Sequence, residues 1–156
     1  MLEVRVRAAV ILIEDEKILL VKHVDPSSGE EWWIPPGGGL LPQERSIVDC
    51  AVREAFEETG LKVTVGRLIY LREFVEEAQA VHHIELFFLA QGFDGALTME
   101  HIKGKGPDED FIRELRWLGH EEMHGRAVYP EHLVDGFWDD LAAGFPEARY
   151  LGVHFD

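Results

Sequence analysis

Glu54, Glu57 and Glu58 fall within little more than one turn of a helix that directly follows three glycines, Gly37 to Gly39. Carboxylates three and four residues apart are neighbours on a helix surface, and each like-charged pair destabilises it by roughly 0.2–0.5 kcal/mol. A chain that carries this burden gains most from a divalent cation, because hard cations take oxygen ligands. The plain alternative is a solvated acidic face, the commonest use of such clusters. A helical wheel at about 100° per residue separates the two. With Glu54 at zero, Glu58 falls near about 40° and Glu57 near about 300°, while Ile47, Ala51, Ala55 and Val48 span about 20–120°. The acids therefore border the apolar stripe instead of opposing it. Partly desolvated carboxylates need neutralising, and Arg53, four residues before Glu57, supplies only one charge.

The flanks fit a loop that feeds this helix. Trp33-Ile34-Pro35-Pro36 reads as a strand end, since proline cannot donate to a ladder. The glycines permit positive φ and close approach of backbone to a ligand. Ser46 is placed to cap the helix, with Asp49 at its third position, and Gly60 to end it.

Residues Gly38 to Leu61 resemble the Nudix box, whose pattern is G-x5-E-x7-R-E-U-x-E-E-x-G-U with U apolar. Gly38, five residues and Glu44 match its first half, and Arg53 to Leu61 match its second half throughout. Eight residues separate Glu44 from Arg53 where the family has seven. Counting back from Arg53 instead puts Gly39 first and Arg45 in the glutamate's place. A one-residue bulge before the helix reconciles the two registers.

The resemblance implies an α/β (α+β) fold, a Nudix-like α/β/α sandwich with a mixed sheet and a loop-helix catalytic motif, as one domain over residues 1–156. It implies Mg²⁺-dependent hydrolysis of a pyrophosphate bond in a nucleoside diphosphate linked to another moiety, with Mn²⁺ as a substitute ion. Glu54, Glu57 and Glu58 carry over as the metal set, joined by a backbone carbonyl of Gly38 or Gly39. Arg53 carries over as an orienter of Glu57 and Glu44 as an orienter of Glu54. The rival reading is a Nudix-fold nucleotide-binding or regulatory module with weak turnover. A second rival is a structural domain with a merely solvated helix.

A net charge of −15 argues against sequence-independent binding of nucleic acid polymers. Bound cations remove the same objection for a small phosphorylated substrate. The start of the chain lacks a basic, then long apolar, leader, and no run approaches the about 18 apolar residues that span a bilayer. No membrane partner is expected, and a homodimer stays open. Cys50 is the only cysteine, which suits a reducing cytoplasm and a packing role.

The rest of the chain alternates between strand and helix patterns. Val4–Ile13 reads as a strand, Glu14 to Glu16 as a turn, and Lys17–Lys22 as its partner. Asp25–Glu31 is a polar loop. Lys62–Phe74, Val81–Ala90 and Glu114–Leu118 read as strands, and Pro130–Ala143 as an amphipathic helix. Gln91–Asp110 is a long loop, of a length that is usually functional or disordered, and is expected to be mobile without ligand and to border substrate. Relatives often carry a further acid six residues before a tryptophan like Trp117. Phe111 stands there, with Asp108, Glu109 and Asp110 just before it. Arg72, Glu73, Lys103 and Lys105 are candidate substrate contacts, each against an ordinary surface role. Trp32, Trp33 and Tyr70 could stack on a base, with packing as the default. His82 and His83 point to opposite faces of their strand, so at most one faces a cleft.

Overall fold

The first strand, β1 (Glu3–Ile11), alternates where one face meets solvent and becomes continuously apolar where both faces are covered. Ala8 and Val10 enter one core, and Ile11 enters another behind it. The computed structural model describes all 156 residues. The single strand expected from Val4 to Ile13 is two. The chain leaves the first sheet at Leu12, and β2 (Ile13–Glu14) pairs with β3 (Lys17–Val24) in a second. Asp15 and Glu16 make that hairpin turn with φ of 50° and 60°, the hand that matches strand twist.

Then follow β4 (Glu31–Ile34), β5 (Gly37–Gly39), α1 (Ile47–Thr59), β6 (Lys62–Glu76), β7 (Val81–Asp94), β8 (Ile112–Gly119), α2 (His120–Met123), α3 (Gly136–Ala142) and β9 (Arg149–Phe155). The first sheet is mixed, in the order β5-β1-β7-β6-β9, with β1–β7 and β6–β9 parallel and the other pairs antiparallel. In the second sheet β3 pairs antiparallel with β2, β4 and β8. One core lies under α1, where Cys50, Ala51, Ala55 and Leu61 meet Ala8, Val10, Leu12 and Phe88. The other joins Ile11, Tyr70 and Phe87 to Met123, Leu133 and Phe137 from the C-terminal helical segments. Full burial of side chains of this kind contributes about 1.5–3 kcal/mol each. The mixed sheet between helices is the expected α+β sandwich.

Three segments differ from their sequence patterns. Strand β7 runs on to Asp94, and the expected loop behind it holds 3₁₀ turns at Glu100–Ile102 and Pro107–Asp110. Ile102 is buried against Val21 and Ile112, which anchors the middle of the segment. The helix expected over Pro130–Ala143 is a 3₁₀ turn, Glu131–Leu133, and then α3. Gly136 lies directly against the His132 ring, a contact that any side chain there would block. No helix is long and apolar enough to cross a membrane.

Candidate active site

Helix α1 opens and closes as its end residues dictate. The Ser46 hydroxyl accepts the Asp49 N–H at 3.0 Å, and Gly60, at φ 80°, donates its N–H to the Phe56 carbonyl. Glu44 turns inward, its Oε1 accepting the Leu41 N–H at 2.8 Å, while Arg45 is exposed. The Glu44 carboxylate takes Arg53 in a fork, Nε at 2.9 Å and Nη2 at 3.0 Å. That geometry is among the strongest charge-assisted pairs. Glu44 therefore reaches Glu54 through Arg53, not directly. Glu44→Gln is expected to lower kcat by about 10-fold or more, since misplaced catalytic groups cost up to about 10². Arg45→Ala should turn over like wild type. Steady-state kinetics on the two variants checks this, and the reverse outcome would shift the register to Gly39.

Arg53 organises the acids. Its Nη1 donates to Glu54 at 2.9 Å and to Glu57 at 3.1 Å, and its Nη2 donates to the Gly39 carbonyl at 3.0 Å. Glu54 and Glu58 are buried, as the wheel requires, while Glu57 is half-buried. Asp108, from the 3₁₀ turn before β8, completes a trio with Glu54 and Glu58 whose oxygens lie within 4.8 Å of one another. Burial pushes the Glu58 carboxyl well above its ordinary range, and the charges of Glu54 and Asp108 push it further. Burial likewise raises Glu54, against the pull of Arg53. Against this crowding Glu58 accepts one backbone N–H, from Gly37 at 3.2 Å. Three crowded oxygen donors, two of them buried and sharing only the charge of Arg53, on Glu54, fit a hard divalent cation such as Mg²⁺.

The glycines serve by close approach and not by positive φ. They form β5, paired antiparallel to β1, and none of the three is left-handed. A Cβ on Gly38 would overlap the Glu54 carboxylate, and one on Gly37 would overlap Ala8 and Ala9. The Gly39 carbonyl accepts Arg53, and the Gly38 carbonyl, in the β1–β5 ladder opposite Ala8, also receives the Cys50 thiol at 3.5 Å. Burial, with the charges of Glu44 and Glu54, pushes that thiol up to about 11. Cys50 is thus an inert packing residue.

Beside Gly37 and Gly38 opens a small cleft. Arg72 lies in its wall, ion-paired to Glu85 at 3.2 Å and to Glu131 at 3.5 Å. Glu73, on the other face of β6, is tied to His82 and to the Tyr150 hydroxyl, away from the cleft. Lys103 and Lys105 are exposed on the loop that carries Asp108. Trp33 and Tyr70 are core residues. Trp32 stacks on His23 at 5.5 Å. His83 is buried against Glu76 and the Phe74 ring. Sequence reasoning missed Arg7, Glu85 and Tyr129 in the cleft wall. For Glu85 a signal existed, since it is a lone carboxylate between Ile84 and the apolar run Leu86–Leu89.

Buried Glu54 and Glu58 with Asp108 beside them, next to a glycine strand and an arginine that ties Glu54 to Glu44 and Glu57, make a hydrolase-type acid cluster. The NUDIX domain family model matches residues 4–137. The chain is similar to human diphosphoinositol polyphosphate phosphohydrolase 3-alpha, 41% identical over 133 residues, covering 83% of this chain and 78% of that one. The mouse protein of that name is 36% identical over 135 residues, with the same coverage. Among solved structures, the Escherichia coli ORF135 protein superposes with a TM-score of 0.70 at 24% identity, covering 94% of this chain and 96% of that one. The MutT NUDIX hydrolase of Burkholderia pseudomallei does so at 0.68 and 22%, covering 85% and 95%. The chain belongs to the NUDIX family and is a hydrolase of that type.

Proposed function

We propose that this chain is a nucleotide pyrophosphohydrolase. In this reading it cleaves, with Mg²⁺, a pyrophosphate bond in a nucleoside diphosphate linked to another moiety, with Mn²⁺ as a working substitute. The observation that carries the reading is the convergence of Glu54, Glu58 and Asp108 beside Gly38. A bound divalent cation supplies charge neutralisation on the phosphate oxygens and activates water as the nucleophile. Glu54, Glu57 and Glu58 would hold the ion, joined by Asp108 and by a backbone carbonyl of Gly38 or Gly39. Arg53 fixes Glu54 and Glu57 relative to Gly39. Glu54 is the candidate base, since burial raises its proton affinity. Arg72 lies where the distal part of the substrate would sit, and Lys103 and Lys105 are proposed to meet phosphate from the loop. Glu73 leaves the substrate set, because its partners hold it on the far face of β6.

The cleft favours a nucleotide over a ring crowded with phosphates. Both of its guanidiniums, Arg7 and Arg72, are already paired to Glu85, at 3.7 Å and 3.2 Å. Tyr129, Phe87 and Ile34 give it an aromatic and apolar wall suited to a flat base. The names of the 36–41% identical relatives favour a diphosphoinositol polyphosphate as the second reading. A panel decides, with phosphate products identified under Mg²⁺ and then Mn²⁺. It spans nucleoside triphosphates, sugar nucleotides, ADP-ribose, dinucleoside polyphosphates, capped RNA ends and a diphosphoinositol polyphosphate. Turnover confined to the last would replace the nucleotide reading, and binding without turnover of any would favour the regulatory module. One domain over residues 1–156 and a cytoplasmic location belong to the same proposal.

The loop makes a separate prediction. Asp108→Asn should lower kcat by about 10-fold or more, as one charged donor is lost from the trio. Lys103→Ala with Lys105→Ala should raise KM and leave kcat near wild type. Hydrogen exchange should fall across 103–110 on adding Mg²⁺ with a non-hydrolysable nucleotide. Unchanged exchange together with unchanged kinetics would reduce the segment to a connection.

A further inference from the structure

On the far side of the first sheet from α1, a second donor set converges. His120 and His124, four residues apart along α2 and its C-terminal cap, share a helix face. Asp135, from the segment entering α3, meets them there, and one ligand atom from each lies within 4.8 Å of the others. Asp135 occupies the N-cap position of α3 yet makes no capping bond. Its Oδ1 stands 3.9 Å from the Nε2 of each histidine. That is too long for a hydrogen bond. Three other histidines close on a carboxylate, at 2.8 Å for His82–Glu73, 2.6 Å for His83–Glu76 and 2.8 Å for His132–Asp140, while the exposed His154 stands 3.8 Å from Glu131. Here the three donors converge but stay apart, and the Nε2 of His120 is buried with no partner at all.

The histidine orientation is fixed from behind. The His120 ring stacks on Trp138 at 5.3 Å with planes 18° apart. Trp138 is itself held by its Nε1–H donating to the Leu133 carbonyl at 2.9 Å. Two imidazoles at i and i+4 with one carboxylate suit a borderline ion of the zinc class rather than Mg²⁺. Tetrahedral ligands at about 2.0–2.1 Å from Zn²⁺ sit roughly 3.4 Å from one another, so closure needs only small side-chain movements.

We propose that His120, His124 and Asp135 form a transition-metal site of the Zn²⁺ class, distinct from the acid trio. It has three protein ligands and a fourth position open to water. Occupied, it staples α2 to the start of α3, the two segments that bring Met123 and Phe137 into the core. The test uses the full chain, stripped with a chelator and held in excess Mg²⁺ so that the carboxylate site is satisfied. Calorimetry should find one saturable equivalent of Zn²⁺, Co²⁺ should give visible d–d bands of low-symmetry coordination, and Zn²⁺ should raise the thermal midpoint. His124 and Asp135 are exposed, so His124→Ala and Asp135→Asn do not threaten folding. Each should weaken Zn²⁺ binding by more than about 10-fold, the scale on which even outer partners of a metal matter, with Mg²⁺-dependent turnover unchanged. Wild-type Zn²⁺ affinity in either variant, or no saturable Zn²⁺ site in the wild type, overturns the proposal.

Discussion

Glu58→Gln is expected to lower kcat by at least about 10²-fold, because a ligand charge is lost where several kcal/mol of charge stabilisation is required. The same change should make the metal-free protein more resistant to heat. Glu58 is almost completely buried, at 1% exposure, and is held above its ordinary range by that burial and by neighbouring carboxylates. Its folded form therefore binds its proton more tightly than the unfolded chain does. Stability from this group is present at low pH and is lost as pH rises from about 4.5 toward its raised folded value. Metal-free wild type should lose thermal midpoint over that window more steeply than Glu58→Gln, and Mg²⁺ should restore the wild type alone. Melting curves across pH, with and without Mg²⁺, measure both effects. Wild-type turnover in Glu58→Gln, or equal pH slopes, would remove Glu58 from the site. Glu57→Gln should also lower kcat by at least about 10²-fold.

Arg53→Ala should be the most damaging change that touches no acid directly. One guanidinium bonds Glu44, Glu54, Glu57 and the Gly39 carbonyl. Without it four polar groups lose their partner and the helix acids repel one another. A fall in kcat/KM of about 10²-fold or more is expected from loss of positioning alone. Arg53→Lys should rescue little, because an ammonium cannot form the planar fork with Glu44. Rescue to near wild type by lysine would mean that Arg53 acts only as a charge.

The acid helix was legible because its chemistry conflicts with ordinary packing. Glu54 and Glu58 lie on the apolar side of the wheel, and they are buried for the same reason. Its caps were legible because Ser46 and Gly60 have specific local roles. Asp108 was narrowed only to three adjacent acids, since the fold of the 3₁₀ turn decides which of them faces inward. The glycine strand was not legible as a strand. Glycine has no side-chain pattern, and pairing with β1 is settled by contacts far away in sequence. Strand β9 escaped because it is an edge strand with Tyr150, Val153 and Phe155 exposed, so it lacks a buried alternation. The break between Leu133 and Gly136 escaped because the periodicity of Pro130–Ala143 hides a backbone choice made by the His132–Gly136 contact.

Asp108 rides on a segment pinned at both ends by Ile102 and Ile112, which share one small core with Val21. Two members of the acid trio are thus carried on a rigid helix and the third on a tether. On the proposed assignment, recruiting that third oxygen requires loop closure, and the entropy of closure grows only logarithmically with length. Doubling the tether would weaken recruitment by just about 0.6 kcal/mol, less than a factor of three in affinity. The stretch around Gly104 to Gly106 can therefore lengthen, shorten or change its residues with slight effect on ion affinity. It is the part of this site on which new substrate contacts can be tried at least expense to the metal.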